Sequence, residues 1–142
     1  MMNTKIYKAV HGLVEKLMAA AKKDDQETFD SLYSELKAIC LDNEDTDKDH
    51  PVQWETLADF SEDLSDAIAI YEKALKKSVD INSKDHMSSV AYSMATLQVE
   101  LGQTEEAIKN LQNAKVSANK IEDDSLKREI NELLDSLASP ME

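Results

Sequence analysis

Glycine and proline are scarce in this chain, which has two of each among its 142 residues. An all-β fold needs many turns, and tight turns are built largely from these two residue types. The glycines, Gly12 and Gly102, are isolated, whereas a phosphate-binding loop needs clustered glycines so that backbone amides can approach the anion. The scarcity therefore argues against an all-β fold and against nucleotide sites of the Rossmann or Walker type.

Cysteine and long apolar runs are also rare. Cys40 is the single cysteine, so an internal disulfide is impossible. No apolar run approaches the roughly 20 residues of a transmembrane helix, and charged residues interrupt the N-terminal apolar positions where a signal peptide needs a continuous core. These features predict a cytoplasmic protein. Cys40 falls on an apolar face without an activating base nearby, so we expect a buried structural thiol.

Basic residues are outnumbered by acidic ones, at 16 Lys and Arg against 29 Asp and Glu, and the formal net charge is −13. A field of this sign repels phosphate backbones and anionic lipid, so we expect no nucleic-acid partner and no membrane partner. A protein or peptide that is basic, or mixed basic and apolar, would be attracted. The alternative is that the acidity only maintains solubility.

No set of residues has the spacing of a metal or catalytic site. The three histidines, His11, His50 and His86, are not paired at helical spacing, and no Cys-x2-Cys exists, which argues against zinc. Residues 45–49 resemble the start of a calcium loop, but His50 replaces the required glycine and Thr56 the bidentate glutamate. We therefore expect no cofactor and, without a nucleophile, base and orienting group, no enzyme.

Apolar residues recur with a helical period along most of the chain, which predicts an all-α fold of about seven helices. The predicted helices span about 3–22, 24–41, 51–60, 62–78, 83–101, 104–119 and 124–137. Asp24 and Glu27 are predicted to form a capping box at the start of the second helix. Residues 42–50 contain no apolar side chain and are predicted to form a solvated loop.

Two segments share one pattern of small and large residues. The first consists of Trp54, Leu57, Ala58, Ala67, Tyr71 and Ala74. The second consists of Ala91, Met94, Ala95, Gly102, Ala107, Leu111 and Ala114. This pattern resembles the tetratricopeptide repeat (TPR) family, in which small residues let paired helices approach closely. The separation of Ala74 and Ala114, 40 positions against the standard repeat of about 34, resembles the long kinesin-light-chain-type variant.

The resemblance implies a single TPR-like domain over residues 1–142, an α-α superhelix of antiparallel helix-turn-helix repeats. Its parts would be a degenerate N-terminal helix pair at 1–41, the acidic loop at 42–50, two hairpins at 51–119 and a capping helix at 124–137. A capping helix needs one polar face, and the charged face of 124–137 meets that need. A generic antiparallel helix bundle is the alternative, because small-residue spacing also occurs by chance.

The resemblance also implies a function, because TPR proteins bind partners in a concave groove lined by the first helix of each pair. Carried over to this chain, the groove residues would be Glu55, Asp59, Tyr92, Thr96 and Val99. Acids stand where the family's carboxylate clamp needs lysines and asparagines, so we expect a basic or mixed peptide. The chain would be a small adaptor or chaperone, monomeric or homodimeric. The alternatives are a protein that self-associates through its C-terminal helix and an enzyme with an unrecognised site.

Overall fold

The computed structural model describes residues 4–138, and within them it contains seven helices and no strand. The helices are α1 (Thr4–Lys22), α2 (Gln26–Asp42), α3 (Pro51–Asp59), α4 (Leu64–Asp80), α5 (Lys84–Glu100), α6 (Thr104–Ala118) and α7 (Asp124–Ala138). The prediction of an all-α fold with about seven helices is confirmed. The predicted start of the first helix, residue 3, lies outside the described residues.

Helix α4 differs most from its predicted bounds, since it begins and ends two residues later. Asp63 caps its start, because a carboxylate oxygen of Asp63 accepts from the backbone N–H of Asp66 at 3.2 Å. Three helices end at a residue in the left-handed conformation: Asp24 after α1, Asn82 after α4 and Gly102 after α5. Such a residue lets the chain leave a helix while its last carbonyls stay hydrogen-bonded.

The predicted capping box at Asp24 and Glu27 is wrong by one residue. Asp24 has φ 55° and belongs to the end of α1, where its backbone N–H donates to the carbonyl of Ala21 at 3.2 Å. Asp25 is the N-cap of α2 and accepts from the backbone N–H of Thr28 at 3.2 Å. Aspartate tolerates both positions, so two adjacent aspartates do not reveal which one caps.

Each helix packs mainly on its neighbours in the chain, and the contact between α5 and α6 is the most extensive. The odd-numbered helices also meet, because α3 contacts both α1 and α5. Consecutive packing with a second set of contacts between alternate helices is typical of a stacked series of helix pairs. This order places α1, α3 and α5 next to one another along one side of the stack.

Two apolar clusters form the core, and α5 contributes to both. The first cluster extends from α1 to α5 and takes Val90 and Met94 from α5. The second joins α5, α6 and α7 and takes Ala91 and Ala95 from α5. Seven residues of the two-segment pattern are buried: Trp54, Leu57, Tyr71, Ala74, Met94, Ala107 and Leu111.

Candidate protein-interaction surface

The predicted groove residues lie on α3 and α5, on the side of the stack where the odd-numbered helices meet. Glu55 and Asp59 are one helical turn apart on α3. Tyr92, Thr96 and Val99 follow one another along one face of α5, at spacings of four and three residues. We call these five residues, together with Glu129 and Glu132 of α7, the α3–α5–α7 face.

Glu55 joins α3 to α5 through hydrogen bonds. Its carboxylate accepts from the Ser89 hydroxyl at 2.8 Å and lies 3.0 Å from Nδ1 of His86. The hydrogen bond to Glu55 raises the pKa of His86, and it outweighs burial, which acts in the opposite direction. Glu55 is half-buried, so it holds the two helices together and offers only part of its carboxylate to a partner.

Asp59 has an intramolecular partner in the second helix of its pair. The Tyr71 hydroxyl donates to the carboxylate of Asp59, and burial raises the pKa of Tyr71 above its ordinary range. Asp59 as a residue is exposed, but its carboxyl faces the helix packing and loses hydration there. That loss, together with the nearby charge of Glu55, raises the pKa of Asp59 to about 6, against the lowering effect of the Tyr71 hydrogen bond.

Tyr92 and Val99 are partly buried against the second apolar cluster, which α5, α6 and α7 form together. Partial burial raises the pKa of Tyr92, and the negative charges of Glu129 and Glu132 raise it further. Thr96 lies one helical turn after Tyr92 on α5, and its hydroxyl donates to the backbone carbonyl of Ser93 at 2.6 Å. Tyr92 therefore combines a partly exposed aromatic ring with two carboxylates on the adjacent helix.

Sequence reasoning missed Glu129 and Glu132. Both are exposed on α7, which shares the second apolar cluster with α5 and α6. The available signal was the interpretation of α7 as a terminal cap with one charged face. A cap that covers the end of the stack must pack against the preceding helices, so the polar residues at its edge could have been expected near Tyr92 of α5.

The acidic loop begins at residue 43, because Asp42 belongs to α2. It is attached to α3 and α4 rather than solvated throughout. Asp49 accepts from Nε1 of Trp54 at 2.7 Å and from Nζ of Lys77 at 2.6 Å. Glu44 accepts from Nζ of Lys73 at 2.6 Å, and this ammonium lies 4.4 Å from the centre of the Trp54 ring. The sequence predicted a solvated loop because residues 42–50 lack apolar side chains. The loop is nevertheless attached, because ion pairs rather than apolar contacts hold it.

The loop carboxylates that resemble the start of a calcium site are paired with the ammonium group of Lys77. Its Nζ lies 2.6 Å from Asp49 and 3.5 Å from Asp45. Burial alone would raise the pKa of Asp49, but hydrogen bonds from Lys77, Asp45 and Trp54 hold it below its ordinary value. Within residues 4–138, no three His, Cys, Asp or Glu side chains are grouped so that they could hold a metal ion.

Cys40 is fully buried, as predicted, and its thiol donates to the backbone carbonyl of Gln53 at 3.3 Å. Burial raises the pKa of this thiol to about 12, and the charges of Asp49 and Glu44 act in the same direction. The group is therefore a neutral thiol at neutral pH, which makes it a poor nucleophile.

Comparisons with protein-family models, with curated proteins and with solved structures gave no match to this chain. Among the helices of the part of the chain that the structure describes, none combines the length and the apolar character needed to span a membrane.

Proposed function

We propose that this chain is a non-enzymatic protein-interaction module of the cytoplasm, an adaptor or chaperone with a TPR-like arrangement of helix pairs. Its α3–α5–α7 face would bind a basic, partly apolar peptide or helix. The observation that carries the proposal is the packing of Tyr92 in one apolar cluster with Leu133 of α7, within the electrostatic range of Glu129 and Glu132. Tyrosine offers apolar area and a hydroxyl to a partner, which suits an anchoring contact.

The charge distribution supports a basic partner. Glu129 and Glu132 are exposed, and within residues 4–138 no ion pair or hydrogen bond occupies their carboxylates. Lysine or arginine of a partner would find these acids free, whereas Glu55 and Asp59 already accept hydrogen bonds. The α7 end of the face is thus the part best suited to recruit a cation, with Tyr92 holding the apolar neighbour.

The test begins with a photo-cross-linking amino acid at Thr96, at the centre of the face, to capture the partner in native cells. The captured partner is then titrated against Tyr92→Ala and against the double variant Glu129→Lys, Glu132→Lys. Each should weaken binding at least about tenfold, and added salt should weaken wild-type binding because exposed charges are screened beyond about 8–10 Å. The double variant Glu27→Lys, Glu35→Lys is the control.

Glu27 and Glu35 are exposed on α2, so their replacement changes the net charge equally at a different place. If the control variant weakened binding as much as the α7 variant, the partner would respond to net charge rather than to the α3–α5–α7 face. Glu55→Lys is a poor test because it also breaks the contacts to Ser89 and His86.

A further inference from the structure

A cavity of about 490 Å³ opens between α4 and α6, with α5 as its floor. Its apolar lining comes from Leu75 and Val79 of α4 and Met94 of α5, while Gln98 and Asn110 supply polar groups. At about 100° per residue, Met94 and Gln98 lie some 200–240° around α5 from Tyr92. The cavity therefore lies on the opposite side of α5 from the proposed face, and it does not depend on that proposal.

The two amides at the floor of the cavity are held in one fixed arrangement. Nδ2 of Asn110 donates to Oε1 of Gln98 at 2.7 Å, and it lies 3.6 Å from the sulfur of Met94. Gln98 is only 4% exposed. Among residues 4–138, Nε2 of Gln98 and Oδ1 of Asn110 have no hydrogen-bond partner.

One amide N–H group of Gln98 and the amide oxygen of Asn110 thus remain unused. This result does not depend on how the amides are oriented, because turning both by 180° preserves the bond between them and again frees one N–H group and one oxygen. Both groups are accessible to solvent, so a ligand that enters the cavity can form hydrogen bonds with them.

We propose that this cavity binds an aliphatic side chain of an extended peptide together with the adjoining peptide group. A peptide unit offers one C=O and one N–H, which complement the free donor of Gln98 and the free acceptor of Asn110. A leucine or methionine side chain fits the apolar walls formed by Leu75, Val79 and Met94. A cavity of this volume is of the size that binding sites in proteins use.

The charges around the cavity favour a foreign peptide over a second copy of this chain. Two chains with a net charge of −13 each repel one another. Among the charged residues of the lining, Lys76 is paired with Asp80 at 3.8 Å, and two acids, Glu72 and Glu106, remain against one further cation, Lys109. The remaining excess of acid suits a peptide with a basic residue beside the aliphatic one.

N-Acetyl-leucine N-methylamide is the probe, titrated into the ¹⁵N-labelled full chain and followed by NMR. A ligand of this size is expected to bind with a Kd of about 1 mM, with the largest shifts at Val79, Met94, Gln98 and Asn110. The glycine analogue lacks the side chain and should bind at least about tenfold more weakly. The methyl ester lacks the terminal N–H and should also lose affinity.

Val79→Asp places a charge in the cavity wall, and because Val79 is 54% exposed the fold should survive the change. It should weaken binding at least about tenfold, whereas Val116→Asp, at a valine that is 60% exposed outside the cavity, should leave binding unchanged. Tyr92→Ala should also leave it unchanged, so this experiment and the test of the α3–α5–α7 face can fail separately.

Three results would overturn the proposal. The first is the absence of saturable shifts at the cavity residues up to about 20 mM probe, far above the expected Kd. The second is unchanged binding in Val79→Asp. The third is equal binding of the amide and the methyl ester, which would assign the cavity to apolar small molecules rather than to peptides.

Discussion

Lys77 is the residue whose surroundings depart most from those of an ordinary surface lysine. Its side chain is 14% exposed and faces the carboxylate of Asp49, which is 8% exposed. Its Nζ also lies 5.5 Å from the centre of the Trp54 ring. Burial alone would lower the pKa of Lys77, but the contacts with Asp49 and Asp45 raise it. One ammonium group therefore holds the loop, α3 and α4 together.

Lys77→Met should lower the free energy of unfolding by about 1–3 kcal/mol, because it leaves the carboxylate of Asp49 partly buried without its counterion. Urea denaturation followed by circular dichroism measures the change. Lys76→Met is the control, since Lys76 is 79% exposed and, among residues 4–138, its one ion pair is a 3.8 Å contact with Asp80. Equal stability of the two variants would mean that the loop does not depend on Lys77.

His86 and His50 are expected to titrate in opposite directions from the ordinary histidine pKa of 6.5. The hydrogen bond to Glu55 raises the pKa of His86. Burial lowers the pKa of His50, and the nearby charge of His86 lowers it further. His50 also caps α3, because its Nδ1 accepts from the backbone N–H of Val52 at 3.1 Å, and a proton on Nδ1 would break this cap.

Glu55→Gln should lower the pKa of His86, which NMR titration of the histidine ring protons measures directly. The raised pKa of His86 stabilises the wild type fully below pH 6.5, and this stabilisation is lost as the pH rises through the folded-state value. The variant should therefore lose more stability at pH 5.5 than at pH 8. Glu35→Gln, at an exposed position of α2, should show neither effect; an unchanged His86 titration in Glu55→Gln would contradict the assignment.

Periodicity predicted which residues are buried but not which polar groups meet. Glu55 and Asp59 were predicted to face a partner, and the structure gives each a partner inside the chain. Those partners, Ser89 and Tyr71, lie on different helices, so their distances depend on helix packing that no local pattern encodes. Likewise, the ion pairs of the acidic loop depend on lysines more than 20 residues away in sequence.

The pairing of α5 with α6 shows what the small residues of the two-segment pattern do. Ala91 and Ala95 of α5 pack in the same cluster as Ala107 and Ala114 of α6, and all four are buried. Alanine at these positions lets two helix backbones approach closely, and Leu111 fills the remaining space. The spacing of these residues was visible in the sequence, and it predicted this helix pair correctly.

Ala107→Leu should destabilise the protein by about 1–3 kcal/mol, because Ala107 is fully buried and the added atoms would overpack the contact between α5 and α6. Ala69→Leu on α4 is the matched control, since Ala69 is exposed and the same atoms would lie at the surface. Thermal unfolding followed at 222 nm compares the two variants. An unchanged melting temperature of Ala107→Leu would mean that α5 and α6 do not approach closely at Ala107.

The packing of α7 distinguishes a chain that buries its own C-terminal helix from one that self-associates through it. Leu133, Leu134 and Leu137 are partly buried against the second apolar cluster of the same chain. Their packing leaves the charged side of α7 exposed, as a terminal cap requires.

The double variant Leu133→Asp, Leu137→Asp should therefore lower the melting temperature, because it places two charges against apolar neighbours. Leu41→Asp, at an exposed leucine of α2, should have a much smaller effect. Circular dichroism measures melting, and sedimentation velocity measures mass. A dimer that dissociates into stably folded subunits in the double variant would instead place α7 at a subunit interface.

Because the core is divided into two clusters at α5, the helices are expected to unfold in a defined order that begins at the C-terminal end. α7 contacts its neighbours on one side only, and α6 keeps its apolar face covered only while α5 and α7 remain in place. Amide protons of α7 should thus exchange with solvent first and those of α6 next, while the larger cluster from α1 to α5 still protects its own. A force applied to the C-terminus would peel the helices off in the same order, one at a time, rather than unfold the stack in a single step.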